Sequence, residues 1–154
     1  PALTFSVTSD GWLFFFQDDD DEMAVGKSGG IELTAGRVGK VVDPQSHEGL
    51  AAPDDLVAWL SSHPDLGAEP PQPVRIADLE GQSIDVTAKG PDEVEIFAYP
   101  TGNLRIVAGT RARIWVLPYE GPDLVFSAFA PKESFEQALP DIESIVDSMR
   151  IGPS

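Results

Sequence analysis

The chain has 154 residues, 42% of them hydrophobic, a content that fits one domain with a single core spanning residues 1–154. Its 26 acidic and 10 basic residues give a net charge of −16, which argues against nucleic-acid binding and adsorption to anionic membranes. The sequence has no cysteine, so disulfides, zinc–thiolate sites and thiol catalysis are excluded, and no stretch approaches the roughly 18 apolar residues of a membrane span.

The first part of the sequence predicts short strands separated by turns. Leu3, Phe5 and Val7 alternate with polar residues, which indicates a half-buried strand. Asp10-Gly11 is a turn signal, and the run 12–16 is predicted to complete a hairpin with that first strand. Residues 18–22 form an acidic loop in this interpretation. Further strands are predicted at residues 23–27, 31–35 and 38–42, with a turn at Gly29-Gly30.

The middle of the chain predicts a helix and then a connector. Pro53, Asp54 and Asp55 suit the first helical turn, because proline fits there and acids complement the helix dipole. An apolar face follows at helical spacing in residues 56–60, and Pro64 ends the helix. Residues 69–73 contain three prolines and indicate an extended connector.

The second half returns to strands and closes with a helix. A hairpin turn is predicted at Glu80-Gly81, and Gly109 is expected to join two later strands. A buried stripe at three- and four-residue steps predicts a final helix from near Pro131, which Pro140 should kink or split in two. The strands of this half are predicted at residues 74–79, 83–88, 94–99, 103–108, 112–117 and 124–130.

The order of these elements predicts the fold class. Consecutive strands with short turns favour a mainly antiparallel, twisted sheet, and two helices are too few to alternate with every strand. The helices are therefore expected to pack on the sheet as covers, which gives an α+β domain.

Two short motifs match known patterns without the required context. Gly26-Lys27-Ser28-Gly29-Gly30 fits both a nucleophile elbow and the end of a phosphate-binding loop, but a strand-like segment follows where each needs a helix. A glycine-rich hairpin turn is the favoured interpretation. The acidic run 18–22 lacks the spacing of a calcium loop and is interpreted as an exposed turn, with weak cation attraction as the alternative.

The sequence contains two histidines, His47 and His63, in different local contexts. His63 precedes Pro64 at the predicted helix end, where a histidine can interact with terminal carbonyls. His47 lies in a polar loop and is predicted to be solvated. A metal site or an acid–base role with nearby carboxylates is the alternative for the pair.

The sequence feature that best predicts a binding site is a cluster of arginines. Arg111, Arg113 and Trp115 share one face of a predicted strand, and Arg105 lies one strand earlier. This pattern predicts a site for an anion or a partner protein, with an aromatic neighbour. The alternative is cross-strand pairing of the arginines with the acids of residues 94–97 or with Glu120, and core packing of Trp115.

Segments spread over most of the chain resemble a known fold family. They are residues 3–7 with Gly11-Trp12, residues 55–60, residues 81–86 and the apolar stripe of residues 135–149. Their layout resembles the PsbP-like fold and is similar to LpqN-type actinobacterial lipoproteins and related secreted domains of unknown function. The resemblance implies a twisted antiparallel sheet with helices on both faces, in an envelope-exposed protein that binds other macromolecules and is not itself an enzyme. It supplies no site residues.

These observations together predict a non-enzymatic, extracytoplasmic binding or protein-interaction domain. The expected partner is another envelope protein or a small anionic ligand, and no cofactor or metal is expected. Because the sequence starts at Pro1, a removed N-terminal segment is expected to have directed secretion or carried a lipid anchor. Two alternatives remain: a small hydrolase or ligand-binding enzyme that uses carboxylates with His47 or His63, and a structural domain of a larger envelope protein.

Overall fold

The computed structural model describes residues 3–7, 9–18 and 22–151, with the backbone alone for residues 16–18. This part of the chain forms two helices, α1 (Leu56–Ser62) and α2 (Phe135–Asp147). Its strands are β1 (Leu3–Thr4), β2 (Trp12–Asp18), β3 (Glu22–Lys27), β4 (Ile31–Val38), β5 (Lys40–Val42), β6 (Gly49–Ala51), β7 (Leu66–Ala68), β8 (Gln72–Ile76), β9 (Leu79–Ala88), β10 (Val94–Tyr99), β11 (Gly102–Ile106), β12 (Thr110–Leu117), β13 (Asp123–Pro131) and β14 (Arg150–Ile151).

The largest sheet has eight strands in the order β2-β3-β4-β13-β12-β9-β7, with β8 also paired to β9. The short strands β7 and β8 pair with opposite ends of β9. A second sheet has the order β11-β10-β5-β6, and β1 pairs with β14. Every strand pairing in the described residues is antiparallel, which confirms the predicted α+β class with antiparallel sheets.

Two apolar cores lie on opposite faces of the large sheet. The first contains α1 and the four-stranded sheet, and the second contains α2. Strand β12 is buried on both faces: Ile114 and Val116 belong to the first core, Trp115 and Leu117 to the second. The predicted alternation along this strand is therefore confirmed. The sequence did not predict that a second sheet shares the face covered by α1.

Local chemistry sets the ends of both helices. The Asp55 carboxylate accepts a hydrogen bond of 2.9 Å from the Ala58 N–H and caps the start of α1, and His63, just before Pro64, is the C-cap residue. Helix α2 buries its predicted apolar stripe, and Pro140 lies inside this one continuous helix. Of the two outcomes predicted for Pro140, the split into two helices is therefore wrong, and a kink stays a prediction. In the described part of the chain, no helix has the length and apolar character needed to cross a membrane.

The predicted turn at Glu80-Gly81 is wrong. The β8–β9 hairpin turns instead at Ala77 and Asp78, whose φ angles of 47° and 67° place both residues in the left-handed region. Gly81 lies within β9, where a Cβ atom would come within 2.2 Å of the Val116 carbonyl oxygen of β12. Close approach of two strands, and not a turn, therefore accounts for this glycine.

The predicted N-terminal hairpin is also wrong. Strand β1 covers only two residues and pairs with β14 at the other end of the chain. Strand β2 pairs with β3, so Asp18 and Glu22, predicted to lie in an acidic loop, are paired strand residues. The rest of that loop, residues 19–21, lies outside the described residues. The strands that the sequence analysis missed, β6, β7 and β14, have only two or three residues each.

Candidate functional site

The structure brings two of the predicted site residues together. Arg111 and Arg113 lie on the same face of β12, and both contact Asp85 of the neighbouring strand β9. The Asp85 carboxylate, only 8% exposed, accepts hydrogen bonds from Arg111 Nη2 at 2.5 Å and from Arg113 Nε and Nη2 at 2.7 and 3.0 Å. One buried carboxylate thus holds both guanidinium groups.

Three further carboxylates surround this pair. Arg111 also contacts Glu136 at 2.9 Å and Glu69 at 3.4 Å, and Arg113 contacts Glu143 at 2.8 Å. Burial alone would raise the pKa of the Asp85 carboxyl, but the hydrogen bonds from both arginines outweigh this and hold its pKa below the usual value. Both arginines therefore already have carboxylate partners within the chain.

The other two predicted site residues lie elsewhere. Trp115 is 4% exposed and packs in the core beneath α2. Arg105 belongs to the four-stranded sheet, where it contacts Glu93 at 2.8 Å and Glu95 at 3.4 Å, as the cross-strand alternative predicts. Binding of an anion or a partner protein at the arginines stays a prediction. The geometry directs attention to another part of the molecule.

A cavity of about 350 Å³ opens beside the end of α1, and both histidines line it. It lies between the loop that follows β5, the residues after α1, and the β9–β10 connection with the start of β10. Its lining residues are Asp43, Pro44, His47, His63, Asp65, Gly90, Asp92, Glu93, Val94 and Glu95. The fold therefore brings together in one cavity residues that the sequence analysis considered one at a time.

The loop after β5 is held in place by its own hydrogen bonds. The Asp43 carboxylate accepts from the Ser46 N–H at 2.9 Å and the Ser46 hydroxyl at 2.7 Å. These hydrogen bonds lower the pKa of the Asp43 carboxyl. The Asp43 carbonyl accepts from the His47 N–H at 2.9 Å, and His47 has a φ of 58°. Two residues of the cavity wall are therefore positioned by one closed turn.

His63 is the buried polar residue of the cavity. Its side chain is 4% exposed and makes an edge contact with Trp59, with ring centroids 5.1 Å apart. Its Nδ1 atom accepts a hydrogen bond of 3.2 Å from the Asp65 N–H, whereas its Nε2 atom has no hydrogen-bond partner among the described residues. Burial lowers the pKa of His63, opposed by Asp65, so the ring is neutral near pH 7.

This hydrogen bond fixes the chemical role of the ring. A neutral imidazole whose Nδ1 accepts a hydrogen bond carries its proton on Nε2. His63 therefore presents a buried N–H donor and not a lone pair for a metal. In the described part of the chain, no group of three or more acidic or histidine residues is arranged to hold a metal ion.

The cavity is lined mainly by negative charge. Five of its residues are carboxylates, and no lysine or arginine is among the lining residues. Two cations contact residues of the wall or next to it: Arg105 pairs with Glu93 and Glu95, and the Lys89 ammonium donates to the Pro64 carbonyl at 3.1 Å. Two cations against five carboxylates leave the site favourable for a positively charged group.

The sequence carries only a weak signal of this cavity. Asp65 comes from the connection between α1 and β7, and Asp92 and Glu93 come from the connection between β9 and β10. Nothing in their local pattern distinguishes them from the other acids among the 26 of the chain. His63 lies at the helix end as predicted, but among the described residues its ring makes no hydrogen bond to the terminal carbonyls and accepts instead from the Asp65 N–H. Its burial and its meeting with the loop of His47 depend on long-range packing.

The fold defines an α+β domain built of antiparallel sheets. No family model and no curated protein sequence matches the chain. Among solved structures, it is similar to LpqN of Mycobacterium tuberculosis, described as involved in cell envelope biogenesis, with 9% identity and a TM-score of 0.46 over 99% of this chain and 85% of that one. It is also similar to the cyanobacterial PsbP protein CyanoP from Synechocystis sp. PCC 6803, with 8% identity and a TM-score of 0.46 over 98% and 93%. Both are of the protein types that the sequence resemblance names, and the similarity concerns the arrangement of the chain alone.

Proposed function

We propose that the chain is a non-enzymatic, extracytoplasmic binding domain whose ligand site is the cavity beside α1. The location outside the cytoplasm is supported by the sequence resemblance to secreted domains. The observation that carries the binding site is a cavity lined by five carboxylates and by no lysine or arginine.

The lining residues define the class of ligand. The five carboxylates favour a cation. A volume of about 350 Å³ lies within the usual range for small-molecule sites. The ligand is therefore a small organic ammonium compound, and the amino sugar glucosamine serves as a probe of this class.

The experiment compares three sugars of similar size and different charge. Glucosamine, glucose and glucuronate are titrated against the protein at pH 7 by calorimetry and by NMR of the His63 ring. We expect binding in the order glucosamine, glucose, glucuronate, because the cavity carboxylates attract a cation and repel an anion. Glucosamine recovered unchanged after incubation would support a binding role, and its conversion to a product would contradict the non-enzymatic proposal.

Paired variants test whether the cavity is responsible. Asp65→Asn with Asp92→Asn removes two cavity charges, so the dissociation constant for glucosamine should rise at least tenfold. The matched control is Asp78→Asn, an acid 95% exposed in the β8–β9 turn that does not line the cavity. Equal affinity of the double variant and the control, or equal binding of glucosamine and glucuronate, would overturn the site.

A further inference from the structure

His63 holds part of the cavity wall through a hydrogen bond that only its neutral ring can make. The Nδ1 atom accepts from the Asp65 N–H at 3.2 Å, and both residues line the cavity. A protonated imidazole carries an N–H group on each nitrogen and has no acceptor left. Protonation of His63 would therefore set two N–H groups against each other, so either the ring or the turn of residues 63–65 must move.

The turn itself is held on its other side by Lys89. The Lys89 N–H donates to the Asp65 carbonyl at 2.9 Å, and the Lys89 ammonium donates to the Pro64 carbonyl at 3.1 Å. The Leu66 N–H also donates to the His63 carbonyl at 3.3 Å. Because the backbone is fixed at several points, protonation should displace the ring from its place in the wall.

The surroundings of the ring oppose its positive charge. The side chain is 4% exposed and lies against Trp59, and within the described part of the chain no carboxylate is hydrogen-bonded to either ring nitrogen. Burial lowers the pKa of His63 below 6.5 and Lys89 also lowers it, whereas Asp65 raises it. The other titratable groups that line the cavity are Asp43, His47, Asp92, Glu93 and Glu95.

A proton on His63 and a cation in the cavity should oppose each other. Each adds positive charge beside the same five carboxylates, and the proton also disturbs the wall that contains Asp65. This coupling is reciprocal, because the factor by which protonation weakens cation binding is the factor by which a bound cation weakens protonation. Carboxyl groups ordinarily titrate near pH 4, so a histidine responds to milder acid than they do.

We propose that His63 is a proton switch in the cavity wall, and that mild acidification protonates its ring, breaks its hydrogen bond to Asp65 and releases the cationic ligand. This inference rests on the proposed function, because it concerns the regulation of the same site. The neutral ring holds the wall in its binding form. The charged ring leaves that position and repels the ligand.

The test follows glucosamine and the His63 ring together. Calorimetry gives the dissociation constant at pH 7 and at pH 5, and NMR of the ring gives the pH at which His63 is half protonated. In the native chain the dissociation constant should be at least threefold higher at pH 5. Saturating glucosamine should shift half-protonation of His63 to lower pH, and the signal of the Asp65 N–H should change together with the ring.

Two variants separate His63 from the other titrating groups. His63→Asn does not titrate, and its side-chain oxygen can accept from the Asp65 N–H, so its affinity should change by less than a factor of two between pH 7 and pH 5. The matched control is His47→Asn, which changes the other histidine of the wall at a φ of 58° that asparagine tolerates. This control should keep the threefold change. Thermal unfolding shows whether each variant is folded, and the ring titration of the native chain decides if His63→Asn is not.

The outcomes separate this proposal from the proposed function. Glucosamine that does not bind at pH 7 would overturn the ligand site, and the switch with it. Three results would overturn the switch and leave the site standing: equal binding at pH 7 and pH 5, a His63 ring that stays neutral down to pH 5, or the same loss of affinity in folded His63→Asn. Loss of the pH dependence in His47→Asn would assign it to the wrong histidine and would equally overturn the proposal.

Discussion

Asp85 holds two arginine side chains in place, although nothing in the sequence around Asp85 indicates this role. The period-two pattern of β12 correctly predicted that Arg111 and Arg113 share a face. Their buried acceptor lies 26 and 28 positions away along the chain, on a strand whose register the sequence does not define. Only the pairing of β9 with β12 identifies which of the 26 acids is the shared partner of these two arginines.

Asp85→Asn should destabilise the fold through these two arginines. Removing one partner of a fully buried ion pair costs about 3–5 kcal/mol. Here the cost at pH 7 should be smaller, about 2 kcal/mol, because the arginine side chains are 22–23% exposed and keep other carboxylate partners. Urea unfolding measures the difference. Asp78→Asn, which breaks an exposed pair with Arg75, is the control and should cost under about 0.5 kcal/mol.

The destabilisation caused by Asp85→Asn should also depend on pH in a defined way. Because the pKa of Asp85 is lowered in the folded state, its stabilisation is fully present above the unfolded pKa, near 3.8. It is lost as the pH falls through the lower, folded pKa. The difference in unfolding free energy between the native chain and Asp85→Asn should therefore shrink below pH 4. A difference that stays constant down to pH 2 would contradict the ion-pair explanation.

At the scale of elements, the sequence predicted most strands and both helices but not all of their connections. The glycine of Glu80-Gly81 was interpreted as a turn because glycine commonly permits left-handed backbone. In the structure, Ala77 and Asp78 adopt that backbone, and Gly81 makes room for another strand. Glycine suits both a turn and a close approach between two strands, so the sequence pattern alone did not distinguish these two explanations.

Gly81→Ala tests this explanation of the glycine. The new Cβ would meet the Val116 carbonyl oxygen at 2.2 Å and Leu117 Cδ2 at 2.8 Å, so β9 and β12 must move apart. Overpacking costs about 1–3 kcal/mol, and a clash with backbone should reach at least the upper end of that range. Gly90→Ala is the matched control, since nothing lies within 4 Å of its Cβ position. Similar melting temperatures for the two variants would show that Gly81 does not hold the strands in contact.

At the scale of the whole molecule, the layers were predicted only in part. Antiparallel pairing and helices that cover the sheet follow from the order of elements, and helices on both faces are what the family resemblance implies. The division of the strands into two sheets does not, because a strand such as β10 shows the same alternation in either sheet. The bulge in β10 buries both Ile96 and Phe97, which breaks even that local pattern. The cavity beside α1 depends on this second sheet, so it could not be predicted from the sequence.

The net charge of the molecule predicts how salt changes its stability. Folding brings 26 acids and 10 bases closer together, so repulsion should outweigh the surface ion pairs, which contribute about 0–1 kcal/mol each. Raising ionic strength from about 0.01 to 0.15 M shortens the screening length from about 30 to 8 Å. At pH 7 the unfolding free energy should therefore increase by roughly 1–2 kcal/mol, the sum of several like-charge pairs at about 0.2–0.5 kcal/mol each.

Urea titrations at fixed pH measure this effect as a shift of the midpoint in NaCl without a change of slope. The control is the same series near pH 4.2, the isoelectric point, where repulsion is balanced and the increase should disappear. A fall in stability with added salt at pH 7 would show that attractive pairs such as those of Asp85 dominate the electrostatics.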